Sequence, residues 1–191
     1  MALITGASSG LGAEFARQLA ARGHDLVLVA RREEMLRTLA GRLSNEHGIE
    51  ADCLVADLAN ERDLETVAER IRAEPRLDLL VNNAGFGAKG PFVELPVERQ
   101  LEMVQVNLTA LTHLTRLFLP GMIARRRGGI LNVASTAGFQ PGPGMAVYYA
   151  TKAYVLSLTE AVAEEVAGTG VTVTAFCPGP TATNFFAAAN A

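Results

Sequence analysis

Tryptophan is absent from the 191 residues, and cysteine occurs only at positions 53 and 177. Two cysteines in apolar, strand-like stretches, without metal-ligand spacing, exclude a disulfide scaffold or a zinc module. They read as reduced core residues of a cytoplasmic protein. Charge is scarce and nearly balanced, 19% of residues and a net 17 − 20 = −3. With no basic field, neither nucleic acid nor a membrane surface is an expected partner. Long hydrophobic runs are missing too. The longest aliphatic stretch, Leu26 to Ala30, is far short of the roughly 20 residues of a bilayer span. The opening Met-Ala-Leu-Ile-Thr-Gly shows no secretory signal, and His24, His47 and His113 have no ligand spacing, so no metal is expected. Repeats, low-complexity tracts and linkers are also lacking. The 49% hydrophobic content excludes a disordered chain and suits one domain over residues 1–191, long enough to bury roughly 70% of its unfolded surface.

What is present alternates between short apolar runs and longer amphipathic ones. Strands are expected at Met1–Ile4, Asp25–Ala30, Ala51–Ala56, Leu77–Asn82, Gly129–Ala134 and Val171–Phe176. Helices are expected at about Ser9–Arg22, Arg31–Glu46, Glu61–Ala73, from about Val97 to Arg125–Arg127, and Val147–Ala167. Gly128 or Gly129 is the expected left-handed cap of the long helix. Strands of continuous apolarity are buried on both faces, and strands separated by such helices run parallel. The fold class is therefore α/β, a doubly wound parallel sheet of the Rossmann type in three layers with six strands.

Thr5-Gly6-Ala7-Ser8-Ser9-Gly10-Leu11-Gly12 follows the first strand and opens the first helix. Glycines allow a tight turn and close approach of a pyrophosphate, whose charge suits a helix N-terminus. The adenosine ribose belongs at the end of the second strand. Instead of an acidic residue for the 2′-hydroxyl, Arg31 and Arg32 stand there. Cations at a helix start oppose its dipole, which favours an anionic partner such as a 2′-phosphate. Charge-assisted contacts worth roughly 1.5–3 kcal/mol each would shift preference about 10- to 100-fold toward NADP(H).

Tyr148 and Lys152 are four residues apart on one helix, and Tyr149 and Tyr154 have no lysine at that spacing. An ammonium beside a phenol stabilises the phenolate and is expected to lower its pKa from about 10, making Tyr148 an acid/base toward a carbonyl or alcohol. Ser135, at the carboxyl end of the fifth strand, can hydrogen-bond the same oxygen. Phe86, Phe139, Met145, Phe185 and Phe186 are either lining for an apolar substrate cleft or core filler.

Gly6–Gly12, Asn82-Asn83-Ala84-Gly85, Asn107, Ser135, Tyr148-x3-Lys152 and Pro178-Gly179, in this order, resemble the short-chain dehydrogenase/reductase family over nearly the whole chain. The resemblance implies pyrophosphate contacts from Gly6, Ser8, Ser9, Gly10, Leu11 and Gly12, and 2′-phosphate contacts from Arg31 and Arg32. It places Asp57 and Leu58 at the adenine, and Asn83, Ala84 and Gly85 along the cofactor. Pro178, Gly179, Thr181 and Thr183 fall on the nicotinamide side. Tyr148 would be the acid/base, Lys152 would bind the nicotinamide ribose and tune Tyr148, and Asn107 would hold a water linking Lys152 to solvent. The implied function is oxidation–reduction between NADP(H) and a small carbonyl or secondary alcohol with an apolar body. Subunits would pair as a homodimer or homotetramer through the helices beginning near Val97 and Val147.

Members of that family usually run longer, and a substrate lid and seventh strand are expected to be absent from residues 1–191. Two alternatives follow from the same residues: a redox-inactive NADP(H)-binding sensor or scaffold, and a domain binding another phosphorylated ligand such as a flavin nucleotide.

Overall fold

The computed structural model describes residues 1–181. Six strands, β1 (Ala2–Thr5), β2 (Leu26–Ala30), β3 (Ala51–Val55), β4 (Leu79–Asn82), β5 (Gly128–Val133) and β6 (Val171–Phe176), form one sheet in the order β3-β2-β1-β4-β5-β6. Every pairing is parallel, as continuous apolarity in β1 and β2 requires: all their residues but Ala30 are buried. The helices are α1 (Gly10–Ala20), α2 (Glu33–His47), α3 (Glu61–Ala73), α4 (Val97–Val104), α5 (Leu111–Arg125) and α6 (Ala146–Glu165). Side chains alternate along each strand, so the sheet divides the core. On one face Ile4, Leu26 and Leu28 pack against Ala13, Ala16, Leu36 and Leu43 of α1 and α2. On the other, Leu3, Val27, Val29, Leu80 and Ile130 meet Leu64 and Val67 of α3 and Leu114, Phe118 and Met122 of α5.

The expected long helix is not uniform. α4 and α5 are joined by a π-helical turn, Gln105–Ala110, which contains the buried Asn107. Its C-terminus is also capped differently from the sequence expectation. Arg126, not Gly128 or Gly129, takes the left-handed conformation, with φ 51°. Its Nη2 donates to the Gly168 carbonyl, and the chain at Gly170 packs so tightly on the Arg126 carbonyl that a Cβ there would lie 2.3 Å away. Tertiary packing thus outweighs the steric preference for glycine. α2 begins at Glu33 rather than Arg31, with Arg32 at its N-cap and Gly48 as its left-handed C-cap.

A buried amide ladder ties the carboxyl halves of β4 and β5 to the helices behind them. Asn82 Nδ2 donates to Asn132 Oδ1 at 2.9 Å and Thr115 Oγ1 at 3.0 Å, and Asn132 Nδ2 donates to Thr159 Oγ1 at 3.0 Å. Buried polar groups with partners hold one register, because a slip would leave them unpaired. The strand ends from which the site is built are thereby fixed. No helix among the described residues is long and apolar enough to cross a membrane.

Candidate active site

The carboxyl ends of all six strands open into a groove of about 500 Å³. Gly6, Ser8, Ser9, Gly10 and Leu11 form one wall. Gly6 and Gly10 sit at φ 65° and 56°, where a side chain is strained. A Cβ on Gly6 would also lie 2.8 Å from Asn83 Nδ2 and 2.9 Å from Ala84 Cα. The turn is pinned from below. Asn83 Nδ2 donates to the carbonyls of Thr5 and Gly6, while Thr5 Oγ1 accepts the amides of Asn83 and Ala84. No side chain caps the N-terminus of α1, in contrast to α3, where Asn60 Oδ1 accepts the amides of Arg62 and Asp63. The loop therefore presents backbone to the groove, which is what a pyrophosphate needs.

Gly12 departs from the sequence expectation. It is not part of the groove lining; a Cβ there would lie 2.3 Å from the Gly6 carbonyl oxygen and 2.5 Å from Asn83 Nδ2. Its absent side chain lets α1 lie against the turn, which is a packing role. Asn83 and Gly85 do line the groove, but the Asn83 amide is spent on the loop.

Arg31, Arg32, Asp57 and Leu58 line the adenosine end, as expected. Arg32 donates to Ser8 Oγ at 2.9 Å and to Ser9 Oγ, so neutral hydroxyls hold its charge at the rim. Arg31 Nη1 lies 3.5 Å from Asp57 Oδ2, and Asp57 Oδ1 caps the following turn through the Ala59 amide.

Ser135, Tyr148 and Lys152 converge on the opposite end. Ser135 caps the short 3-10 helix Thr136–Phe139 by accepting the Ala137 amide, and its hydroxyl is also hydrogen-bonded to Tyr148. Tyr148 is 9% exposed and Lys152 5%. Lys152 Nζ donates to the Val133 carbonyl at 2.7 Å and lies 5.8 Å from the centroid of the Tyr148 ring. Burial pulls the Lys152 pKa down to about 8. The direction for Tyr148 is opposite to the expected lowering: burial pushes its pKa up, against the downward pull of its Ser135 hydrogen bond, while the Lys152 ammonium donates to the Val133 carbonyl.

Asn107 is buried in the π-helical turn. Its Oδ1 accepts the Phe86 amide at 3.1 Å, and its Nδ2 donates to the Phe86 carbonyl and to Thr151 Oγ1. The side chain clamps the loop after β4 onto α6 and so positions that loop. Thr151, whose Oγ1 receives that bond, is invisible to sequence reasoning; a threonine one position before the lysine carries no distinctive signal.

Of the expected apolar lining, Phe86 and Met145 face the groove, whereas Phe139 is 65% exposed and lies outside it. Gln140 and Tyr149 join the lining. The glycine beneath Tyr149 is the one available sequence signal for its placement, since a Cβ on Gly142 would meet that ring at 2.3 Å. Pro178, Gly179 and Thr181 line the groove; Thr183, Phe185 and Phe186 lie outside the described residues. Among the described residues no cluster of metal-ligating side chains occurs.

Comparison with known proteins agrees with this geometry. A short-chain dehydrogenase from Sphingobium yanoikuyae, solved in complex with NADPH, superposes with a TM-score of 0.96 at 42% identity, over 98% of this chain and 73% of that one. A bulky-bulky ketone specific alcohol dehydrogenase from Comamonas testosteroni gives a TM-score of 0.92 at 40% identity, over 95% and 72%. The very-long-chain 3-oxoacyl-CoA reductase of Anas platyrhynchos is 34% identical over 184 residues, 93% of this chain and 58% of that protein. The chain spans about half to two thirds of the length of the curated relatives it matches. The family model for short chain dehydrogenases matches residues 1–191, and the chain belongs to that family.

Proposed function

We propose that the chain is an oxidoreductase that uses NADP(H) to interconvert a ketone and a secondary alcohol with an apolar body. The convergence of Ser135, Tyr148 and Lys152 at one end of a groove, with Arg31 and Arg32 at the other, carries this reading. The glycine turn fits a dinucleotide: Gly6 and Gly10 hold left-handed φ values, and the Gly6 Cα packs directly on Asn83 and Ala84, so the turn stays tight and leaves backbone at the groove for a phosphate. Gly6, Ser8, Ser9, Gly10 and Leu11 would hold the pyrophosphate, Arg31 and Arg32 the 2′-phosphate, and Asp57 and Leu58 the adenine side. Ala84, Gly85, Lys152, Pro178, Gly179 and Thr181 would flank the nicotinamide half. The bound nicotinamide supplies or accepts the hydride.

The chain supplies orientation and the proton. In the reducing direction the Tyr148 hydroxyl gives its proton to the carbonyl oxygen, with Ser135 Oγ hydrogen-bonded to the same oxygen as charge grows on it. The raised Tyr148 pKa keeps the phenol protonated and ready to donate. The Lys152 ammonium, one turn away on α6, opposes build-up of negative charge once the proton has left. Phe86, Met145 and Tyr149 support the apolar body, and the Comamonas neighbour's bulky ketones are of that class. Exposed Val97 and Leu101 on α4 and Tyr154 on α6 support pairing of subunits through these helices.

The test is a fluorescence titration with NADPH and NADH, clean because tryptophan is absent, followed by turnover on bulky ketones. We expect NADPH to bind at least about tenfold tighter. Tyr148→Phe should keep that binding and lose about 10²- to 10⁴-fold in kcat. Unchanged turnover in Tyr148→Phe would overturn the mechanism, and binding without turnover on any ketone would return the redox-inactive reading.

A further inference from the structure

We propose that Glu102, on α4 and outside the groove lining, sets how strongly the chain prefers a 2′-phosphorylated nucleotide by competing for Arg31; this rests on the NADP(H) reading above. Arg31 and Arg32 are neighbours in sequence but differ in their partners. Arg32 is held by the hydroxyls of Ser8 and Ser9, and no carboxylate of the described residues lies within 4.0 Å of it. Arg31 Nη1 sits 3.5 Å from Asp57 Oδ2 and 3.5 Å from Glu102 Oε1, bridging the end of β2 to α4. Its side chain is 61% exposed, so it is held by charge rather than by packing.

Glu102 has a second cation. Its Oε2 pairs with Arg99 Nη1 at 3.0 Å, and the Arg99 guanidinium lies 4.1 Å over the Phe86 ring. Glu102 therefore keeps a partner when Arg31 leaves, and Arg31 is an arm that can move to an incoming anion. A 2′-phosphate arriving beside Arg31 meets two carboxylates as well as two guanidinium groups. Like charges at such separations oppose binding in a salt-dependent way. In this arrangement Arg32 is the standing cation of the adenosine end, and Arg31 is released to the phosphate only against the hold of Asp57 and Glu102.

The probes are adenosine 2′,5′-bisphosphate and 5′-AMP, which differ only in the 2′-phosphate and do not reach the Tyr148 end, with NADPH and NADH as the full-length pair. In Glu102→Gln the bisphosphate and NADPH should bind about three- to tenfold tighter, while 5′-AMP and NADH stay within about twofold. The gain should vanish in an Arg31→Ala background and shrink toward nothing at 1 M salt, where the screening length is about 3 Å. Arg99→Met should act in the opposite direction, lowering the preference for the bisphosphate, because Glu102 then has Arg31 alone. Equal shifts for both probes, a gain that persists without Arg31, or no gain at all would overturn the proposal while leaving the cofactor reading intact. If the unaltered protein itself fails to prefer the bisphosphate over 5′-AMP, the cofactor reading fails, and the proposal falls with it.

Discussion

At the scale of single residues, Lys152 has the most direct consequence. It is buried, it donates to the Val133 carbonyl, and its pKa is lowered to about 8. In the unfolded chain the same group titrates near its ordinary value of about 10.4. Between these two values the unfolded state binds more protons than the folded state, so stability on this group's account rises as pH climbs from about 8 to 10.4. Below about 8 both states are protonated, and the cost of burying the charge is fully present. Lys152→Met removes the titration while leaving Tyr148 and every other group in place. Urea unfolding of the two proteins should show the unaltered chain gaining on the Met variant by about 3 kcal/mol over that window. A constant difference between them would mean that Lys152 keeps an ordinary pKa in the folded protein.

At the scale of elements, one substitution chemistry should have opposite signs in two helices. Gly12, in the first turn of α1, meets the Gly6 carbonyl, and a methyl group there must push the helix off the glycine turn. Gly41, in the exposed middle of α2, has open space where a Cβ would stand, with nothing within 4 Å. Gly12→Ala should destabilise the fold by more than about 2 kcal/mol and weaken nucleotide binding, because overpacking against backbone has no flexible side chain to yield. Gly41→Ala should stabilise by about 0.5–1 kcal/mol through helix propensity alone, with binding unchanged. Thermal melts and nucleotide titrations of both variants check the pair, and a harmless Gly12→Ala would show that α1 can shift without cost. The same contrast separates what is legible in the sequence from what is not. The element order, the parallel sheet and the convergence of Gly6, Arg31, Ser135, Tyr148 and Lys152 follow from local pattern and motif spacing. The π-helical turn at Asn107, the left-handed Arg126 and the packing role of Gly12 involve neighbours 42 to 71 residues away in the chain (Thr151, Gly168 and Gly170, Asn83). No local pattern carries those. The Tyr148 pKa escapes sequence reasoning for the same reason: spacing puts Lys152 one turn away, but only the folded chain shows its ammonium drawn to Val133.

At the scale of the whole molecule, the groove is assembled from turns after β1, β2, β3, β4, β5 and β6, so no single helix–strand unit contains it. Binding energy gained there is shared by both faces of the sheet. Leu28 anchors the face covered by α1 and α2, and Leu114 anchors the face covered by α3 and α5; both are completely buried. Leu28→Ala and Leu114→Ala should each cost about 2–5 kcal/mol. The two substitutions sit on opposite sides of the sheet, so their effects should add within about 0.5 kcal/mol. Because a ligand that binds only the folded state stabilises it by mass action, NADPH at about one hundred times its Kd should restore about 2.7 kcal/mol to each variant and to the unaltered protein alike. Scanning calorimetry with and without NADPH would report one cooperative transition that moves as a unit in all three proteins. If NADPH raised one transition and left a second in place, the two faces would unfold separately, and the groove would depend on one face of the sheet instead of on both.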